Sequence, residues 1–524
     1  MFRDPRSIAA ALLAVATLYA GVHWGAIVAG GADSYGYVSE AGLLRQRRLE
    51  IQQDLVRISP WPSALDTWTP LGYREAPGRP DAIVPLYPPG LPILMALFQL
   101  AGGFCAAFLV VPICGALTIV VTYALARRLF GSNSIAIAAA VLVASSPVFL
   151  YQLMNPMTDV PVTAAWTLAA LLAAAGWPLA AGLASSVAIL IRPNLVPVAF
   201  VLGAWLFWIR DRHTIVWRFV AGVIPGIAIV ASINTRLYGA PWLAGYGAPG
   251  ELYAASYFVT NFRQFVQWTI ETQTPLVMLA VVPLLWRGPV AVRDRDHGVV
   301  LLAGVAAVVF VCYLFYIPFD AWWYLRFLLP MWPMIMTLVA ASPERIVGGG
   351  RRASVALAIL VAVLAANGLR IAASRSAFDL GRGERRYVDV ARFVRERTEP
   401  TAIPITVQHS GSLRLYAGRT TLRYDQLDPR WLDRAVAFLA EHGRHPYIIV
   451  DGAEADAFRR RFAGANELGR LDWKPMAVML EPTDIAIYDP LDRNASPLVI
   501  TSTARRAGWR CERPYVWPPP LRIE

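Results

Sequence analysis

Hydrophobic and polar residues alternate along this chain in long blocks. Extended apolar segments are separated by polar connections in which arginine is frequent. A helix needs about 20 mostly apolar residues to cross a bilayer, because its backbone hydrogen bonds must be satisfied within the segment. The pattern therefore predicts about eleven transmembrane helices. They are residues 8–29, 105–125, 135–150, 160–175 and 179–191, a sixth ending at Arg210, 217–233, an eighth ending near Arg287, 299–317, a tenth ending near Arg345, and 353–373.

Basic residues mark one set of ends of these segments. Arg127 and Arg128 follow the second segment, and Arg212 follows the sixth. Lys and Arg concentrate in cytoplasmic loops, so these ends are predicted to lie inside the cell. Loop 31–104 and residues 374–524 are then predicted to lie outside.

Residues 374–524 differ in pattern from the rest of the chain. Polar helical stretches alternate there with short apolar runs, which is typical of a small α/β domain. The predicted fold class is mainly α: a polytopic membrane helix bundle in residues 1–373, including outer loop 31–104, followed by a small extracytoplasmic α/β domain in residues 374–524.

Composition supports a membrane protein. Hydrophobic residues make up 56% of the 524 residues and charged residues only 16%, against about 25% in typical soluble domains. The net charge of +12 is consistent with a nucleic-acid partner. The arginines, however, stand in short clusters between apolar segments, so we attribute them to membrane topology and expect lipid contact and no nucleic acid. The near absence of Lys is typical of a GC-rich bacterial genome, so the expected location is a bacterial cytoplasmic membrane.

The four cysteines show no pattern that indicates chemistry. They are Cys105, Cys114, Cys312 and Cys511, and none forms a CxxC pair or a ligand-like spacing. The sequence therefore indicates neither a metal site nor a disulfide framework.

Polar residues near the membrane gather at the predicted outward ends. Ionisable groups at membrane depth are costly and tend to face a cavity or a partner, so the set predicts an outward-facing polar site. Its members are Asp33, Glu40, the turn at 87–90, Asp159, Arg192, Asn194, Arg236, Asp320, Tyr324 and Arg326.

Two carboxylates of this set are candidate catalytic residues. Asp33 directly follows the first span and is a candidate general base toward an acceptor hydroxyl, with a helix cap or an interfacial carboxylate as the alternative. Asp159 precedes the fourth span and either caps it or supplies a second carboxylate that orients the acceptor or holds a cation. The metal requirement stays unknown: no cofactor is certain, and a divalent cation is left open.

Two arginines are candidate ligands of a phosphate. A guanidinium presents a planar fork that suits phosphate oxygens. For Arg192 the alternatives are a carboxylate partner or a snorkelling side chain, and for Arg326 an interfacial aromatic belt. Tyr324 is also assigned to binding of the donor phosphate.

Further residues complete the candidate site. Tyr35, Tyr87 and Asn194 are assigned to substrate binding. His409, in Gln-His-Ser at 408–410, resembles part of a nucleophile site, but a lone histidine near a strand end is usually structural.

Several short motifs together resemble the GT-C superfamily of integral-membrane glycosyltransferases, most of all its protein mannosyltransferases and bacterial aminoarabinose transferases. The resemblance covers about residues 8 to 340. The motifs are Gly-Ala-Asp-Ser-Tyr-Gly-Tyr at 31–37, Tyr-Pro-Pro-Gly-Leu-Pro at 87–92, Arg-Arg-Leu-Phe-Gly at 127–131, Thr-Asp-Val-Pro at 158–161, Ile-Arg-Pro-Asn at 191–194 and Tyr-Leu-Arg-Phe-Leu-Leu-Pro at 324–330.

The resemblance implies a polyprenyl-phosphate-sugar donor and an inverting transfer at the outer face. By position, Asp33 matches the first-loop acidic residue near the acceptor, Asp159 the acidic residue of the second outer loop, and Arg326 the basic residue of a late motif.

The sequence thus predicts a membrane glycosyltransferase that moves a hexosyl or pentosyl group to a hydroxyl of a lipid, glycan or protein. The alternatives are a multi-pass lipid or glycan transporter or flippase, and a noncatalytic assembly partner in the membrane.

Overall fold

The computed structural model describes residues 5–210, 213–285, 293–452, 454–480, 483–494, 498–500 and 511–515. These residues are mainly helical, as predicted. The predicted inner arginines Arg212 and Arg287 lie outside the described residues.

Seventeen helices precede residue 375 in the described ranges. They are α1 (Pro5–Trp24), α2 (Asp33–Arg45), α3 (Ala64–Trp68), α4 (Gly90–Gly102), α5 (Val110–Phe130), α6 (Asn133–Ala144), α7 (Pro147–Leu153), α8 (Asp159–Ala175), α9 (Pro178–Ile191), α10 (Val196–Arg210), α11 (His213–Tyr238), α12 (Pro249–Leu252), α13 (Phe258–Gln273), α14 (Val282–Leu285), α15 (Arg293–Leu314), α16 (Trp332–Val347) and α17 (Arg351–Ser374). Short 3₁₀ segments include Phe104–Leu109, Pro193–Leu195, Pro275–Val281 and Trp322–Met331.

The number of spans is only partly settled. Six of the described helices are long and apolar enough to cross a membrane, or up to eight if each of two bent pairs is one span. Each predicted segment coincides with a helix or a bent helix pair. However, α8, α9 and the helix at 193–209 have only 10–17 residues. The count of eleven therefore stays a prediction.

Small residues position α9, which ends just before Arg192. A Cβ on Gly182 would lie 2.1 Å from the carbonyl oxygen of Phe219 in α11, so the two backbones touch there. The Ser186 hydroxyl donates to the Gly222 carbonyl at 2.7 Å and accepts from the Gly226 amide at 2.9 Å. Such small-residue contacts let helices approach closely inside a membrane.

Loop 31–104 folds into a compact layer. Besides α2, α3 and α4 it contains a three-stranded antiparallel sheet with the order β1-β3-β2. Its strands are β1 (Ile51–Gln52), β2 (Tyr73–Ala76) and β3 (Arg79–Pro85). The turn between β2 and β3 contains Gly78 at φ +73°, a conformation that favours glycine.

Residues after 374 contain a mixed sheet flanked by helices. The sheet has the order β4-β5-β7-β6-β8, in which β4 with β5 and β6 with β8 run parallel. The elements are α18 (Leu380–Arg397), β4 (Ile403–Ile405), α19 (Ser410–Ser412), α20 (Leu432–Glu441), β5 (Pro446–Asp451), α21 (Glu454–Phe462), β6 (Ala477–Met479), β7 (Ile485–Tyr488) and β8 (Leu498–Ile500). The domain boundary at residue 373 and the outer location of this region stay predictions.

This C-terminal region packs directly on the outer loop. The Tyr416 hydroxyl accepts a hydrogen bond from the Ala29 amide at 2.9 Å. Arg414 is buried and donates to the Gln53 side chain at 2.9 Å and to the Trp68 carbonyl at 2.6 Å. A buried guanidinium needs such acceptors, so these bonds fasten the two regions together.

Cys105 and Cys511 form a disulfide, which the spacing of the cysteines did not indicate. The two residues are 406 positions apart, and only the folded chain brings them together. Cys114 and Cys312 remain free thiols. Disulfides persist in oxidising compartments, which agrees with the predicted outer location of both bonded cysteines.

The disulfide predicts how many thiols react with a maleimide-polyethylene glycol reagent. The denatured, unreduced protein should take up two labels, and the reduced protein four. Cys105→Ser should expose the Cys511 thiol and give three labels without reduction. Four labels on the unreduced wild type would contradict the bond; Cys312→Ser, which should give one label, is the control.

Glu40 is a carboxyl group enclosed within the outer layer. It lies on α2 with 1% of its surface exposed, and its Oε2 atom has no hydrogen-bond partner among the described residues. Burial raises the pKa of Glu40 well above its ordinary value. At pH values between its pKa in the unfolded chain and its pKa in the folded protein, Glu40 is therefore protonated in the folded protein and ionised in the unfolded chain.

Replacing Glu40 should flatten the pH dependence of stability. Above the ordinary carboxyl pKa the wild type should lose up to about 1.4 kcal/mol per pH unit until Glu40 ionises in the folded state. Glu40→Gln should lack this loss, so its apparent Tm should exceed that of the wild type increasingly as pH rises above the ordinary carboxyl pKa, until Glu40 ionises in the folded protein. The exposed Glu441→Gln is the control, and parallel curves for Glu40→Gln and wild type would refute the assignment.

Candidate active site

A cavity of about 620 Å³ lies between the outer loop and the helix ends beneath it. Its walls come from the start of α2, the turn at 86–89, the end of α9, the loop after α11, the end of α15 and the 3₁₀ segment Trp322–Met331. Five predicted site residues line it: Asp33, Tyr87, Arg192, Asn194 and Arg326.

Asp33 is the first residue of α2, and Ala32 occupies the N-cap position. Its Oδ1 atom accepts a hydrogen bond from the Tyr87 hydroxyl at 2.6 Å. Its Oδ2 atom lies 3.1 Å from Nη1 of Arg326. The carboxylate thus faces the cavity between a neutral donor and a cation.

Arg326 is held by aromatic rings as well as by Asp33. Its guanidinium carbon lies 5.2 Å from the ring centroid of Tyr324 and 5.3 Å from that of Phe327. Its Nη1 also lies 2.9 Å from the sulfur of Met157, and its Nε has no hydrogen-bond partner among the described residues. A cation that is stacked and incompletely hydrogen-bonded is suited to accept an anionic ligand.

Arg192 forms a second acid–base pair beside the first. Its Nη2 donates to Asp159, and its Nη1 lies 3.5 Å from the Tyr313 hydroxyl. The guanidinium carbon lies 5.5 Å from the centroid of Phe327, the ring that Arg326 also contacts. The two arginine heads therefore flank one phenyl ring.

Glu40, Arg236 and Asp320 of the predicted polar set do not line the cavity, and neither do three residues with an assigned role. Asp159 is 1% exposed and lies behind Arg192, so it neutralises that arginine and does not stand beside Asp33 as a second cavity carboxylate. Tyr324 reaches the site through its contacts with Arg326 and Phe327, which do line the cavity. Tyr35, a residue of α2, is fully buried against the C-terminal region. A Cβ on Gly411 of that region would lie 2.1 Å from the Tyr35 ring. The substrate-binding assignment of Tyr35 therefore needs correction.

Sequence reasoning missed the aromatic wall of the cavity. Tyr37, Trp242, Tyr246, Tyr253 and Tyr316 all line it. The crowding of aromatic residues in the loop after the seventh span was a visible signal. It did not reveal that this loop folds back over Asp33.

Burial keeps the phenols around Asp33 protonated. It raises the pKa of Tyr37, Tyr87 and Tyr246 well above the ordinary tyrosine value. The negative charge of Asp33 acts in the same direction on all three. Tyr87 is therefore a neutral hydrogen-bond donor that orients the carboxylate.

The carboxylates at this site do not form a cation cage. Asp33 and Asp159 each face an arginine. The described part of the chain contains no group of three or more His, Cys, Asp or Glu residues placed to hold a metal ion. The charged side chains that line the cavity are two arginines and one carboxylate, Arg192, Arg326 and Asp33, and this excess of cations favours an anion.

His409 lies apart from the cavity. It is fully buried and its Nε2 is 3.5 Å from Asp451, whose carboxylate also pairs with Arg386 at 3.2 Å. Burial lowers the pKa of His409. These contacts fit the structural interpretation.

Comparison with known proteins identifies the fold. The family profile described as dolichyl-phosphate-mannose-protein mannosyltransferase matches residues 86–235. The structure of ArnT from Cupriavidus metallidurans bound to undecaprenyl phosphate superposes with a TM-score of 0.54 at 12% identity, over 92% of this chain and 97% of that chain. The apo form of the same enzyme gives 0.52 at 15% identity, over 92% and 97%.

A third similar structure is the apo oligosaccharyltransferase of Archaeoglobus fulgidus. It gives a TM-score of 0.50 at 12% identity, over 92% of this chain and 74% of that chain. No curated protein sequence matches the chain. The resemblance to the GT-C superfamily is confirmed, since the chain has this fold.

The Asp159–Arg192 pair predicts a stability effect separate from chemistry. Asp159→Asn leaves the Arg192 charge buried without its partner, which should lower the free energy of unfolding by about 3–5 kcal/mol. Asp159→Asn combined with Arg192→Gln should recover part of this loss in thermal unfolding in detergent. The exposed Asp320→Asn is the control; an unchanged Tm for Asp159→Asn would rule out a structural pair.

Proposed function

We propose that this chain, which has the GT-C fold, transfers a sugar from a polyprenyl-phosphate donor to a hydroxyl acceptor at the outer face of the bacterial cytoplasmic membrane. The observation that carries the proposal is the contact of Asp33 with Arg326 on one wall of the cavity. A candidate base and a candidate phosphate ligand, far apart in the sequence, meet where a donor and an acceptor can react.

The two arginines supply the donor-phosphate site of this proposal. Arg326 and Arg192 flank Phe327 and both line the cavity, so one phosphate group placed against them gains two cationic neighbours. ArnT from Cupriavidus metallidurans has been crystallised with bound undecaprenyl phosphate, which supports a lipid phosphate as the ligand class for this fold. Apolar residues of α11 and α15, among them Val230, Ile233 and Val311, line the same cavity and suit a prenyl chain.

Donor binding has a consequence for Asp33. When phosphate oxygens bind Arg326, they compete with the carboxylate for its guanidinium. Asp33 then keeps its hydrogen bond from Tyr87 and presents its other oxygen to the acceptor. The donor thereby converts an ion-paired carboxylate into a general base.

The transfer itself is a single displacement. Asp33 accepts the proton of the acceptor hydroxyl while that oxygen bonds to the anomeric carbon of the sugar. The bond from this carbon to the phosphate oxygen breaks, and its electron pair leaves with the polyprenyl phosphate, stabilised by Arg326. The anomeric configuration inverts. A phosphate leaves as an anion, so the acid that a glycosidase needs is dispensable.

The rival functions lack a comparable observation. A transporter predicts polar groups near the membrane midplane and repeated halves with broken helices. Neither the family match nor the similar structures support a flippase. A noncatalytic assembly partner predicts that Asp33 and Arg326 are dispensable.

A transfer assay tests the proposed function. Purified protein is given radiolabelled polyprenyl-phosphate sugars, hexosyl and pentosyl, together with extracted envelope acceptors. Asp33→Asn should lower the rate by about 10²–10⁴-fold, because it removes the proton acceptor with little change in shape. Arg326→Ala should lower it by about 10²–10³-fold through the lost stabilisation of the leaving phosphate.

The matched controls remove a charge from a residue whose side chain lies outside the cavity. Asp320→Asn and Arg375→Ala should retain wild-type rates, because neither side chain lines the site. Full activity of Asp33→Asn would remove Asp33 from the mechanism. No transfer by folded wild type from any donor would refute the proposed function.

A further inference from the structure

A second cavity of about 710 Å³ adjoins the first. Its walls come from the outer loop, the loop after α11 and the C-terminal region. The two cavities share five wall residues: Leu86, Tyr238, Gly245, Tyr246 and Gly247. One thin wall therefore separates them.

Hydrogen bonds between the three segments build this second cavity. The Arg423 amide donates to the Thr67 carbonyl at 2.7 Å and joins the C-terminal region to the outer loop. Arg74 donates to the Gly245 carbonyl at 2.9 Å, and the Tyr238 hydroxyl donates to the Pro85 carbonyl at 2.8 Å. The shared wall is close-packed, because a Cβ on Gly245 would lie 1.9 Å from the Leu86 oxygen.

The lining of the second cavity matches the chemistry of sugar hydroxyls. Asp66, Glu75 and Glu251 contribute carboxyl groups, Gln426 an amide and Thr69 a hydroxyl. A sugar hydroxyl both donates and accepts hydrogen bonds, so it pairs with all of these groups. Tyr73 and Tyr238 add aromatic rings to the same lining.

The charges of this cavity disfavour a phosphorylated ligand. Its lining contains three carboxyl groups, Asp66, Glu75 and Glu251, against two arginines, one of which, Arg423, also pairs with Asp425. Burial and a hydrogen bond with Asp66 raise the pKa of Glu75, as expected for two neighbouring carboxyl groups. A lipid tail is equally unsuited to a lining of this polarity.

Tyr246 connects this cavity with the catalytic one. It lines both, and its ring centroid lies 5.8 Å from that of Tyr87, whose hydroxyl holds Asp33. A ligand in the second cavity therefore lies against the ring that neighbours the Tyr87–Asp33 pair, on the side of the candidate base.

We infer that the second cavity, bounded in part by Arg423 and Gln426 of the C-terminal region, binds the acceptor and that this acceptor is a neutral carbohydrate. The inference rests on the proposed function, since it names the acceptor class of the same reaction. It gives the C-terminal region a role in choosing the acceptor. Asp66, Glu75 and Gln426 are its specificity-determining residues.

Ligand binding to the full-length protein tests this inference. Saturation-transfer difference NMR in a detergent without sugar head groups uses maltotriose, cellotriose and mannotriose as probes. At least one trisaccharide should receive saturation from the protein. Glu75→Gln combined with Gln426→Ala should weaken its binding by about tenfold or more, as expected for the loss of one to two hydrogen bonds.

Undecaprenyl phosphate binding to the same samples separates the two proposals. Undecaprenyl phosphate should still bind the double variant that combines Glu75→Gln with Gln426→Ala. Arg326→Ala should no longer bind undecaprenyl phosphate but should still bind the trisaccharide. The exposed Glu441→Gln should bind both ligands like the wild type.

Three results would overturn the inference, provided that undecaprenyl phosphate still binds. Either no trisaccharide binds, or the cavity variants bind the trisaccharide as tightly as the wild type, or a serine-containing tetrapeptide binds in place of the sugars. Failure of undecaprenyl phosphate to bind the wild type would instead count against the proposed function.

Discussion

The ion pair between Asp33 and Arg326 is the contact on which the site depends. It joins residues 293 positions apart, the first helix of the outer loop to the 3₁₀ segment that precedes α16. A charge near the apolar part of a membrane is costly unless it is paired or faces water. Each residue therefore requires the other in the resting protein, and their pairing fixes the outer loop over the ends of the helices.

The second pair, Asp159 with Arg192, also provides each charge with a partner, but its carboxylate does not face the cavity. Its carboxylate is wholly buried, so this pair has no free acid to offer to a substrate. The guanidinium groups of both arginines contact the ring of Phe327. Arg326 can thus exchange Asp33 for a ligand at the cavity surface, while Asp159 holds Arg192 in place.

The sequence was sufficient for the helical architecture and for five residues of the cavity wall, because both follow from local hydrophobicity and from polar residues at the ends of apolar segments. It was insufficient where distant segments meet. The Cys105–Cys511 bond spans 406 residues, and no spacing rule covers such a distance. Tyr35 lies within two residues of Asp33 but points away from the cavity, because successive residues of a helix face different directions.

The partner exchange at Arg326 imposes an order on the proposed reaction. While Asp33 is paired with Arg326, an acceptor hydroxyl meets a carboxylate that a cation already holds. A donor phosphate at Arg326 releases that carboxylate, so the base becomes available only when a sugar is present to be attacked.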